Sequence, residues 1–265
     1  MEFHITIALR GLVIGVLIGL SGMGGGALMT PLLILLGVRP VIAVGTDLVV
    51  MTVTKCFGAW QHRRLGNVDY RFVLLLALGS VPGALAGVGT LAMLREVAGI
   101  SVDVFVSRLL GAVLVLVALV LMGRFPILRF TFLSPAGTDM LPRSSVGRHI
   151  IPFLGLVVGF LVGLSSVGSG TLLVAVLSLL FRAPMARIIG VDVAHGALLT
   201  AAAGAAHLSM GNVDLMLAAN VLLGTIPGVF IGSRLSGRIP DRRLGTILAL
   251  VLFGLGVNLL YTELY

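Results

Sequence analysis

The chain has 265 residues, 58% of them hydrophobic and only 11% charged. Soluble domains carry about 25% charged residues, so this composition excludes an ordinary water-soluble domain. The net charge of +8 rests almost wholly on arginine, and those arginines cluster between apolar runs. That placement fits membrane topology better than nucleic-acid binding.

In chain order, apolar segments are expected at about 5–20, 27–37, 41–61, 71–94 and 104–123. A polar linker at 124–148 follows, then segments at about 150–164, 171–182, 185–207, 214–235 and 244–262. Several approach the roughly 18 residues of a membrane-span candidate. The run Leu109–Gly123 does not alternate, unlike the strands of an outer-membrane barrel. The second segment of each half is short. About 11 residues at 1.5 Å per residue reach only some 17 Å, roughly half a hydrocarbon core. Each half therefore opens with a re-entrant hairpin or a broken helix pair.

The halves are copies. "GLVIGVLIGLSGMGGGALMTPLLILLGVRP" (Gly11–Pro40) matches "GLVVGFLVGLSSVGSGTLLVAVLSLLFRAP" (Gly155–Pro184). "VGTD" at Val44–Asp47 becomes "IGVD" at Ile189–Asp192, and "HRRLGNVD" at His62–Asp69 becomes "HLSMGNVD" at His207–Asp214. "GSVPGALAG" at Gly79–Gly87 becomes "GTIPGVFIG" at Gly224–Gly232. The copy deep in the chain argues against reading the first apolar run as a signal peptide. The expected fold is all-α: a polytopic membrane protein of two inverted repeats, 1–123 and 149–265, joined by a cytoplasmic linker at 124–148. Glycine-broken or re-entrant helices lie near the midplane. An odd net number of crossings per half requires the inversion. The arginine bias places both termini outside and the linker inside.

Interrupted helices in inverted repeats are the architecture of secondary transporters. A helix restarting inside the bilayer presents free N–H groups at its positive dipole end, which attract anions. Candidate substrate-binding residues are Ser21, Gly22, Gly24, Gly25 and Gly26 in the first break. Their counterparts in the second are Ser165, Ser166, Gly168, Ser169, Gly170 and Thr171. Gly11, Gly15 and Gly19, spaced four apart, read instead as tight helix packing. Lys55 is the chain's one lysine, and Thr200 stands at its place in the second half. It either supplies positive charge to the anion or snorkels towards the nearby loop. Asp47 and Asp192 occupy equivalent positions, and His195 lies one turn after Asp192. The three are proton-coupling candidates. For the carboxylates, bonding to broken backbone is the competing role; for His195, it is simple packing.

His62 and His207 are expected at the interface beside the GNVD loops, and Trp60 and Tyr70 in an aromatic belt. Asn67, Asp69, Asn212 and Asp214 read as turn and cap residues. Cys56, the one cysteine, leaves no internal disulfide or multi-cysteine metal site. It is expected to pack as a small apolar residue.

The duplicated "GLSGMGGG…P" and "GLSSVGSG…P" openings, with the "VGTD" and "GNVD" stretches, resemble the TauE/SafE family of sulfite exporters. The resemblance covers nearly the whole chain. It implies transport of a small sulfur-containing or carboxylate anion, such as sulfite or an organosulfonate. The expected partners are that anion and the lipid bilayer; nucleic acid is not expected, and a homo-oligomer is compatible with the sequence. No cofactor, metal site or enzyme constellation is indicated. A passive anion channel of the same architecture is the alternative function.

Overall fold

A computed structural model of the chain describes residues 5–21, 26–97, 101–122, 145–181, 183–236 and 241–261. These residues form helices without strands. The first half contributes α1 (Ile5–Ser21), α2 (Gly26–Leu35), α3 (Pro40–Arg64), α4 (Tyr70–Val97) and α5 (Val102–Leu121). The second contributes α6 (Ser145–Ser165), α7 (Thr171–Leu180), α8 (Met185–Ser209), α9 (Leu215–Ser236) and α10 (Asp241–Tyr261). Helices therefore stand where the ten apolar runs lie. The last four residues of the expected linker already belong to α6, which begins at Ser145.

Helices α3, α4, α5, α8 and α9 are long and apolar enough to cross a bilayer. The short α2 and α7 have 10 residues each, about 15 Å of rise. Large apolar side chains such as Phe57, Leu78, Phe153 and Phe230 point outward, whereas Asp47, Lys55, Asp192 and His195 are buried. An apolar exterior around a polar interior suits a lipid environment.

The packing crosses between halves. Helix α1 lies along α9 and α6 lies along α4, while α3 pairs with α8 and α5 with α10. Glycine explains the first two contacts. A methyl at Gly11 or Gly15 would strike the α9 backbone at Val221 or Thr225. One at Gly155, Gly159 or Gly163 would strike the α4 backbone at Leu76, Ser80 or Ala84. Packing, as expected, is what these glycines serve.

The same contacts give direction. Gly11 meets Val221 and Gly15 meets Thr225, so α1 and α9 run parallel. Gly45 near the start of α3 meets Asn212 beyond the end of α8, and Gly190 near the start of α8 meets Asn67 beyond the end of α3. Helices α3 and α8 are thus antiparallel.

Two placements correct the sequence reading. Cys56 is exposed on α3; with its small thiol facing outward, it fills no helix contact. His207 is wholly buried, not interfacial, because its Nε2 bonds the Gly163 carbonyl oxygen at 2.9 Å.

Candidate functional site

A buried polar cluster forms where the antiparallel α3 and α8 meet the break between α6 and α7. Asp47 comes from the second turn of α3. Its Oδ2 accepts hydrogen bonds from the Thr30 hydroxyl on α2, at 2.5 Å, and the Ser166 hydroxyl, at 2.6 Å. Its Oδ1 has no partner. One carboxylate therefore ties the first half's short helix to the second half's break. Ser166 sits at φ +63°, a left-handed conformation that non-glycine residues rarely adopt, and Asp47 anchors it there.

Asp192 on α8 plays a related part. Its Oδ1 accepts the Gly170 N–H at 2.9 Å. Gly170 precedes α7 with φ +117°, a value glycine adopts without penalty. A carboxylate at the first turn also suits the positive end of the helix dipole. The other oxygen, Oδ2, lies 3.6 Å from Lys55 Nζ.

Lys55 does not snorkel. Its side chain is only 6% exposed, and its ammonium has no hydrogen-bond partner. It lies directly over Gly196 on α8, where a Cβ would come within 2.7 Å of Lys55 Cδ. The glycine leaves the gap that lets the lysine reach Asp192.

His195 bonds through Nε2 to the Ser80 hydroxyl on α4 at 2.7 Å, and its Nδ1 is unpartnered. Asp192 and His195 share α8 without a hydrogen bond between them; each has its own partner. The Ser169 hydroxyl is buried and also unpartnered. Thr200, opposite Lys55 in the repeat, accepts from Thr52 at 3.2 Å and donates to the Gly196 carbonyl at 2.8 Å.

The expected residues divide accordingly. Asp47, Lys55, Ser166, Ser169, Gly170, Asp192 and His195 are buried in this region. Ser165 is buried too, but its hydroxyl turns back to the Leu161 carbonyl at 2.8 Å. Gly168 adopts φ +137° within the break, and Thr171 begins α7. Ser21 ends α1 and Gly26 begins α2. Gly22, Gly24 and Gly25 lie outside the described residues. Sequence reasoning missed Thr30, Ser80 and Gly196; each is a small residue in an apolar helix, without a local signal.

The duplicated motifs lock the two halves together. The Asn212 carbonyl sits against Gly45 and the Asn67 carbonyl against Gly190, with no room for a methyl in either place. Thr46 Oγ1 accepts the Asp214 N–H at 3.0 Å. Asp69 caps α4 at Phe72 N, at 3.2 Å, and Asp214 caps α9 at Leu217 N, at 2.8 Å. These loop residues turn and cap the chain, as read from the sequence. Gly66 and Gly211, at φ +69° and +71°, turn the chain after α3 and α8.

The chain is similar to known membrane proteins over nearly its full length. It is 43% identical over 256 residues to the probable membrane transporter protein YjnA of Bacillus subtilis (strain 168), covering 97% of this chain and 99% of that one. The probable membrane transporter protein YunE of the same organism is 29% identical over 290 residues and covered in full, as is this chain. No solved structure gives a significant match. The Sulfite exporter TauE/SafE family matches residues 7–259. The chain belongs to the TauE/SafE family and is a multi-pass membrane transporter.

Proposed function

We propose that this protein is a secondary transporter for a small anion, such as sulfite, an organosulfonate or a related carboxylate, and that the anion moves with a proton. The observation that carries the reading is Lys55: the one lysine of the chain, buried between apolar helices, with an ammonium that has no hydrogen bond. Ionisable groups within membrane segments are expensive to keep and mark transport sites. The free donor for the anion would be the Ser169 hydroxyl; Ser166 and the backbone around Gly168, Gly170 and Thr171 would join it as Asp47 and Asp192 release the Ser166 hydroxyl and the Gly170 N–H that they now hold. The first break, Ser21 to Gly26, would supply the equivalent face.

Charge balance makes the case for the proton. With Asp47, Asp192 and Lys55 all ionised, the cluster carries a net charge of −1 and repels an anion. One proton on this group, with Asp47, Asp192 and His195 as its holders, brings the cluster to neutrality and lifts that repulsion. For a monovalent anion the cargo, anion plus proton, then carries no net charge across. That avoids about 2.3 kcal/mol per charge per 100 mV. The antiparallel α3 and α8, and a loop packed on a glycine at each end of the pair, support a site reached alternately from two sides through inverted repeats.

Initial flux of sulfite and methanesulfonate into proteoliposomes tests the reading. A transporter saturates and accumulates the anion when an inward proton gradient is imposed. Non-saturating flux that follows voltage and ignores the proton gradient would establish the passive channel instead. Both termini are proposed to lie outside, so a C-terminal reporter active only in the cytoplasm refutes that orientation.

A further inference from the structure

Away from the buried cluster, a cavity of about 450 Å³ lies at the end of the bundle where α3 and α5 begin and α4 ends. Its lining includes Arg39, Arg95, Glu96, Asp103 and Asn212. We propose that this cavity is a vestibule that docks the small organic anion through its sulfonate or carboxylate head before it reaches the Lys55 cluster. The identity of the ligand rests on the function proposed above; the cavity's preference for anions does not.

Four observations carry the assignment. The volume falls within the range of roughly 300–1,000 Å³ usual for small-molecule sites. Two arginines line the cavity, and one of its two carboxylates is already engaged. Both oxygens of Asp103 are engaged: Oδ2 takes the Arg39 guanidinium at 2.8 Å and 3.1 Å, and Oδ1 takes the Val41 N–H at 3.1 Å. Arg39 still has one terminal nitrogen to offer, and Arg95 has no ion-pair partner among the described residues. A guanidinium fork matches the oxygens of carboxylate-like anions.

The position is the third observation. Helices α3 and α5 both start here, and Asp103 in the first turn of α5 answers both positive ends, so that carboxylate is held away from an incoming anion. Exposed Glu96 opposes the arginines, which keeps docking weak enough for release. The fourth observation is the floor. Asn212 lines the cavity, and its carbonyl is the group packed on Gly45, two residues before Asp47. An anion docked at Arg95 therefore shares the cavity with the loop residue that packs on the Asp47 end of α3.

The test reads the cavity without relying on transport. In a Cys56→Ser background in proteoliposomes, Ala92→Cys places a thiol on the cavity wall, with Met210→Cys as a second reporter. Each is labelled with two methanethiosulfonates, one bearing a sulfonate and one a quaternary ammonium, at low salt. Relative to a free thiol, the sulfonate reagent is expected to be favoured by about tenfold. Arg95→Gln should remove most of that preference, Arg95→Lys should keep part of it, and Glu96→Gln should raise it. Methanesulfonate at millimolar concentration should slow labelling in the parent but not in Arg95→Gln. In flux assays Arg95→Gln should raise KM about fivefold or more with maximal rate unchanged, in line with the loss of a docking charge. A preference for the ammonium reagent, the parent's ratio in Arg95→Gln, or no labelling at either reporter would overturn the vestibule. Absence of anion flux in the parent would overturn the proposed substrate class but leave the labelling result to stand by itself.

Discussion

The two halves share a scaffold but differ in chemistry. What repeats is the backbone and its anchors: the glycine stripes, the Asp47 and Asp192 carboxylates that hold the second break, the GNVD turns and the glycines beneath them. What differs is the side chain aimed into the centre. The first half brings Lys55 where the second has Thr200, and the second brings His195 where the first has Val50. Hydroxyls differ too. Ser166 and Ser169 stand where the first break has Gly22 and Gly25, while Thr30 stands where α7 has Val174. Asp47 joins the two sets, bonding Thr30 from its own half and Ser166 from the other. Duplication gives two antiparallel supports. In the transport reading proposed above, one cation suffices for one anion, which fits a lysine in only one of the two copies.

The largest effect should come from removing that cation. Lys55→Met is expected to lower anion flux at least about 30-fold, since losing one member of a buried charge pair costs about 2–5 kcal/mol. Thr200→Val, the equivalent change in the other half, should stay within about twofold of the parent, because it removes two neutral hydroxyl bonds of about 1 kcal/mol each and no charge. Lys55→Met also strands Asp192 without its ion pair, so the double variant Lys55→Met with Asp192→Asn should fold better than the single one. Equal losses for Lys55→Met and Thr200→Val in folded protein would mean that the halves contribute alike.

Next in size is Gly196→Ala. Its Cβ would push aside the flexible end of Lys55 and not a backbone, so the fold should survive while the ammonium leaves Asp192. A rise in KM of about tenfold, or about 1.4 kcal/mol, is expected. Gly204→Ala on the same helix is the control, because its Cβ meets nothing nearer than 3.5 Å. If both variants match the parent, the position of Lys55 does not matter to binding.

A smaller, qualitative change separates the carboxylate of the first half from the imidazole of the second. If protons accompany the anion, flux rises as pH falls. Asp47→Asn imitates the protonated acid permanently, so flux should lose much of its pH dependence and begin to respond to voltage. His195→Ala should flatten the profile between about pH 5.5 and 8, a window that brackets the ordinary imidazole value. The charges around His195 are Lys55 from α3 and Asp192 on its own helix, with Asp47 elsewhere on α3; from α4 the Ser80 hydroxyl bonds it. A parent-like profile in His195→Ala makes that histidine structural and leaves the proton to the carboxylates.

How far the sequence could be read follows from the same contrast. The ten helices, the short pair α2 and α7 and the doubled motifs were all legible. They rest on glycine, proline and long apolar runs, whose constraints are local. Gly45 and Gly190 were visible as motif letters, yet the reason for them lies in Asn212 and Asn67, on loops of the opposite half. The Asp47–Ser166 bond spans 119 residues of chain and depends on how α3 crosses the second break. No periodicity encodes that. Lys55 was ambiguous because a four-carbon stem can reach inward or along the helix. Gly196, unremarkable by itself, decides which. His207 was misplaced because a histidine beside a polar loop resembles an interfacial one until its acceptor, Gly163, is known.

The smallest expected effect tests the scaffold itself. Thr46 and Val191 are equivalent, but only Thr46 has a hydroxyl, and its Oγ1 accepts the Asp214 N–H at 3.0 Å where the second GNVD loop enters α9. Thr46→Val keeps the shape and β-branching and removes that acceptor. The partly buried N–H then has no partner at this site, at a cost of about 1 kcal/mol. For a protein of this size that lowers Tm by roughly 2–4 °C, read by thermal unfolding in detergent. The reverse change, Val191→Thr, would offer the Asp69 N–H the same acceptor in the other half and should not lower Tm. Anion KM should be unchanged in both, since Thr46 touches the loop and not the Lys55 cluster. A shift in KM without a shift in Tm would show that the seal on Gly45 acts on the substrate directly, and the division between repeated scaffold and specialised centre would have to be redrawn at Thr46.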